Sequence, residues 1–81
     1  MLYLLTPINI LNPNKDPWEP WYNKAFGFVV RANTEKEARK LASKECGEEK
    51  TEAWLNPEYS TCVELLQEGE SMIILRDFAA A

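Results

Sequence analysis

Apolar and polar positions alternate along this chain in short, well-separated runs, and the spacing of each run predicts a different element. Leu2 to Thr6 is a run of branched and aromatic residues closed by Pro7, which reads as a strand. Because the run does not alternate, burial on both faces is expected. Ala25 to Ala32 (AFGFVVRA) alternates more clearly. Phe26, Phe28, Val30 and Ala32 fall on one side of a second strand, and Gly27, Val29 and Arg31 on the other. A glycine inside a strand marks a bulge or a close neighbour.

The period then changes from two to that of a helix. In NTEKEARKLASKECG, Thr34 and Glu37 have the spacing of a capping box, so a helix begins there. Ala38, Leu41, Ala42, Glu45 and Cys46 define a narrow stripe of mostly small side chains that can lie close against a sheet, with Glu35 and Arg39 pairing outside. Early acids and later bases suit the helix dipole, and Gly47 is the expected left-handed stop. Beyond an acidic stretch, Thr61 to Leu66 and Ser71 to Phe78 are strand-like runs joined by Gln67, Glu68, Gly69 and Glu70, the length and composition of a hairpin. Ala79 to Ala81 is a simple end. The order strand, strand, helix, strand, strand predicts an α+β fold in a single domain over residues 1–81. Its small, mostly antiparallel sheet would have about four strands, with one helix packed on one face (β-β-α-β-β).

Between the first two strands lies PINILNPNKDPWEPWYNK, eighteen residues with four prolines, two tryptophans and a tyrosine. Loops longer than about 12–15 residues are uncommon in compact domains and tend to be functional or disordered, and disordered segments are poor in aromatics. The segment therefore reads as a rigid, partner-facing loop. Trp18 and Trp21 flank Pro20, with Tyr22 adjacent, and prolines would present these rings at low entropic cost. A second turn-rich segment, AWLNPEYSTC, adds Trp54 and Tyr59, with Asn56 and Pro57 favouring a turn. If the two segments meet, Trp18, Trp21, Tyr22, Trp54 and Tyr59 form one aromatic patch, edged by Arg31 or Arg76. The competing reading makes the tryptophans plugs for a sheet that one helix cannot cover.

Composition narrows the chemistry. With 46% apolar and 27% charged residues the chain has the make-up of a folded domain. A net charge of −4 argues against direct nucleic-acid binding, which needs clustered lysine and arginine. The acids concentrate at Glu45, Glu48, Glu49, Glu52 and Glu58, with Lys50 among them; such a run is ordinarily a solvated surface, and otherwise a patch for a basic partner. Two cysteines and no preceding signal-like segment lead to the expectation of a cytoplasmic, thiol-containing protein, and no apolar run approaches membrane-spanning length. Histidine is absent, which removes the commonest general base and metal ligand. No glycine-rich phosphate loop occurs, and no metal or cofactor is expected. Cys62 beside a base could serve as a nucleophile, but a free cysteine is more often a small buried hydrophobe. Asp16, Glu19 and Asp77 could do acid–base work only if the fold gathered them, and salt bridges are their ordinary explanation.

The segments PWEPWYNKAFGFVVRANTEKEAR, AWLNPEYSTCVEL and IILRDFAAA together resemble a family of short, uncharacterised bacterial and phage proteins. The resemblance implies an early strand, a variable loop, a second strand running into the helix, a tryptophan segment and two closing strands. It brings no catalytic residue, and implies action by binding host machinery, such as a regulator or inhibitor of host defence. The sequence thus favours a non-enzymatic interaction module with a protein partner, basic or nucleic-acid-binding in character. The alternative is a binder of a nucleotide-like or cationic small molecule held between the rings. An enzyme using Asp77 and Cys62 ranks third. A homodimer through an exposed strand edge is a further candidate.

Overall fold

A computed structural model of the chain describes residues 1–8, 10, 16–18 and 24–74. Its elements are β1 (Leu2–Pro7), β2 (Phe28–Arg31), α1 (Glu35–Lys44), α2 (Lys50–Leu55) and β3 (Ser60–Leu65). These three strands form one antiparallel sheet in the order β2-β1-β3, so β1 is the central one. Leu4 stands opposite Val29 on one side and Val63 on the other, and Leu2 stands between Arg31 and Leu65.

The α+β class holds, while the count of elements differs from the expected four strands and one helix. A second helix, α2, occupies part of the acidic stretch. Its six residues KTEAWL include good helix formers, and it stops at Asn56, the residue before Pro57, where the proline ring disfavours helical backbone. The Asn56 carbonyl then accepts the N–H groups of Tyr59 and Ser60 at 3.0 and 3.2 Å, forming the turn expected there. The expected hairpin is not formed within the described residues. Ser71 to Ile74 are exposed and belong to no ladder, while Leu75 to Phe78 lie outside the described residues. Gly69, at φ 149°, holds a backbone conformation that L side chains rarely adopt.

Thr34 caps α1 as expected, its hydroxyl accepting the Glu37 N–H at 3.2 Å. The helix ends earlier than Gly47, however: Glu45 is the C-cap, at φ −108°. The left-handed backbone instead falls at Lys50, at φ 69°. Burial along α1 selects Ala38, Arg39, Ala42 and Ser43, leaving Leu41 partly exposed.

The core forms where both helices meet the inner face of the sheet. Tyr3, Leu5, Ala32, Ala38, Ala42, Ala53, Trp18 and Trp54 are buried together, with Phe28, Val30 and Cys62 packed against them. β1 therefore does alternate in burial, Tyr3 and Leu5 pointing in and Leu2 and Leu4 pointing out, which corrects the two-faced burial expected of it. β2 is shorter than the expected Ala25 to Ala32 and leaves Phe26 exposed before it, but within it the alternation holds, Phe28 and Val30 being more buried than Val29 and Arg31. Gly27 lies just before β2, and a Cβ there would sit 3.2 Å from the Leu5 carbonyl oxygen, which accounts for the glycine by close approach.

Candidate interaction surface

The first loop and the Trp54 segment do meet, and they meet in the core. Trp54 is fully buried and Trp18 is 6% exposed. The two indoles pack edge to face at 4.9 Å between centroids, and Phe28 packs on Trp54 in the same manner at 4.8 Å. Trp18 Nε1 donates to the Tyr59 carbonyl at 3.2 Å, fixing the loop to the turn before β3. The Trp18 backbone is clasped as well: its N–H donates to Asp16 at 2.9 Å and its carbonyl accepts from Lys24 Nζ at 2.8 Å. A ligand sandwiched between two rings needs about 7 Å between their planes, and the contact between Trp18 and Trp54 leaves no such slot. These two rings are plugs of the inner face.

Two charged side chains hold this core from opposite sides. Glu49, 3% exposed, accepts the Trp54 indole N–H at 2.8 Å and the Ala25 N–H at 3.0 Å on one oxygen, and the Gly47 N–H at 2.7 Å on the other. Arg39 donates from Nε to Glu35, from one terminal nitrogen to the Trp54 carbonyl and Ser60 Oγ, and from the other to the Ser60 carbonyl, each at 3.0 Å. Its pairing with Glu35 was expected on the outside of the helix; in fact the guanidinium is buried and only Glu35 reaches solvent. The chemistry of both clusters is structural. No buried side-chain polar atom among the described residues lacks a partner.

The remaining candidates separate. Tyr59 is half-buried beside the core, while Arg31 is exposed at the far side of the sheet from Trp54. Trp21, Tyr22 and Arg76 lie outside the described residues, as do Glu19 and Asp77. Both cysteines are free thiols. Burial pushes the Cys62 thiol up, Glu35 adds to the shift and Arg39 opposes it. Cys46 is raised by burial and by Glu49. Neither is the low-pKa thiolate that nucleophilic chemistry uses. Among the described residues no group of three or more His, Cys, Asp or Glu could hold a metal, and no helix is long and apolar enough to cross a membrane.

What is left open is the outer face of the sheet. The side chains there are Leu2, Leu4 and Thr6 from β1, Val29 and Arg31 from β2, and Thr61, Val63 and Leu65 from β3, given by the register with the inward Tyr3 and Leu5. An antiparallel sheet with one solvated face ordinarily places polar residues there. Here Val29, Leu4 and Val63 form an apolar row straight across the three strands, with Val29 57% and Val63 56% exposed. The polar positions are confined to one end, where the Thr6 and Thr61 hydroxyls bond at 2.7 Å, and to Arg31 at the other. A cavity of about 560 Å³ opens along the β3 side, with Leu4, Val63 and Leu65 as its floor and Glu68, Glu70 and Met72 among its walls. A second, of about 340 Å³, lies by Met1, Leu2, Leu65 and Leu66. Sequence reasoning passed over this row, although the outward placement of Val29 was already its signal.

No protein family, curated protein or solved structure matches this chain.

Proposed function

We propose that this protein is a non-enzymatic interaction module and that it docks to protein through the outer face of its sheet. The observation that carries this reading is the Val29–Leu4–Val63 row: three large apolar side chains in direct register on a face that neither helix covers. Leaving such a surface in water forfeits roughly 25 cal/mol for each Å² of apolar area, and contiguous exposed apolar patches mark contact sites. The indole cluster supports this surface from behind, because Trp54 and Trp18 fill the inner side of the same sheet. The edge-to-face contact of Trp18 with Trp54 favours this reading over a small ligand held between those two rings.

A photo-crosslinking residue at Val29 or Val63, compared with one at Glu37 on the exposed side of α1, tests the proposal in cells producing the chain. Discrete adducts to another protein molecule from both sheet positions, absent from Glu37, are expected. Equal labelling from all three positions, or adducts formed only within a single molecule, would overturn it.

A further inference from the structure

Resting on that docking surface, we propose that its occupant is a second copy of this chain, packed face to face about a twofold axis that runs along β1. The surface is polarised across the strands in a way that makes it its own complement. Arg31 stands at the β2 border, level with Leu2 and Leu65. At the β3 border the chain continues past Leu65 into Glu68 and Glu70, which line the cavity floored by Leu4 and Val63. A twofold rotation about an axis parallel to β1 lays the β2 of one copy over the β3 of the other while keeping the same level along the strands. Val29 then meets Val63 of the second copy, Leu4 meets Leu4, and Arg31 faces the second copy's Glu68 and Glu70. The same contacts repeat on the other side, as an isologous interface requires. The alternative twofold, with its axis across the strands, brings Arg31 and the carboxylates alike over the opposite, threonine-bearing end of the second copy, where neither meets an opposite charge. Charge pairing therefore selects one operator, and it selects a homodimer over a partner of single charge, which would meet either Arg31 or the acids with like sign. Face-to-face packing of twisted sheets at about −30° accommodates this arrangement.

The test is sedimentation velocity on the purified chain over micromolar concentrations, at low and at high salt. A concentration-dependent dimer is expected, weakened by salt because the flanking charges are exposed. Arg31→Glu alone, and Glu68→Lys with Glu70→Lys, each weaken association about tenfold through like-charge contacts. Combining all three substitutions exchanges the two borders and restores association toward that of the parent. These side chains are exposed, so the fold, checked by circular dichroism, is retained. A chain that stays monomeric, or a dimer indifferent to the charge exchange, overturns the proposal. A monomer whose Val63 crosslinks to a different protein sinks the second copy while leaving the docking face in place. Crosslinks only to residues 75–81 of the same chain sink both.

Discussion

Arg39 shows most directly how a residue's surroundings decide its role. It sits one position beyond Ala38 on the small-residue stripe, and its guanidinium reaches past α1 to the end of α2 and the start of β3. Four donations in a planar fork cannot be reproduced by an ammonium. Arg39→Lys is expected to destabilise the protein nearly as much as Arg39→Ala, each by about 3 kcal/mol, since the Ser60 carbonyl loses the guanidinium in a buried place and the Trp54 carbonyl is left with only the 3.3 Å bond from the Ser60 hydroxyl. Urea unfolding at unchanged slope measures this, and a lysine variant within about 0.5 kcal/mol of the parent would show that the fork does not matter. Glu49 follows the same logic with the sign reversed, as an acceptor for three N–H groups. Helical spacing made the Arg39–Glu35 pair legible in the sequence. It could not reveal that carbonyls from two later elements would draw the arginine inward, because those partners are 15 and 21 residues away.

At the level of elements, what the sequence made legible was local. The Thr34 cap, the β2 alternation, the Asn56–Pro57 turn and the β1 strand depend on neighbours a few residues apart. The α2 helix was hidden because its six residues have no capping side chain and only Ala53 and Trp54 buried, too short a pattern for a helical period to register. The tryptophans were the ambiguous case. Their burial depends on how two segments some 36 positions apart in the numbering meet, as Trp18 and Trp54 do. α2 also opens on a strained residue. Lys50 at φ 69° carries the left-handed penalty of roughly 1–2 kcal/mol, against which glycine loses about 0.5–1 kcal/mol of backbone entropy. Lys50→Gly is therefore expected to stabilise by about 0.5–1 kcal/mol, raising Tm by roughly 2–8 °C in calorimetry. A fall in Tm would mean that the lysine side chain holds α2 in place.

For the molecule as a whole, three acids are held in their protonated forms by the fold. Burial raises Cys46 and Cys62, and it raises Tyr3 with help from Glu64, Cys62 and Glu35. Between the ordinary and the raised pKa the folded chain binds more protons than the unfolded one, so stability falls as pH rises. The decline should begin above about pH 8.5, the ordinary thiol range. Urea midpoints taken from neutral pH upward should trace it, and Cys46→Ala with Cys62→Ala should flatten its onset; an onset unchanged by that pair would assign it elsewhere. The central place of β1 has a consequence for biosynthesis. Leu2 to Pro7 are synthesised before their β3 partners Ser60 to Leu65, which come last among the described strands. At about 5–20 residues per second, the apolar LYLLT stretch waits roughly 3–12 s with an open edge. Nascent-chain chaperones would therefore meet β1 as soon as it emerges and hold it until β3 has followed.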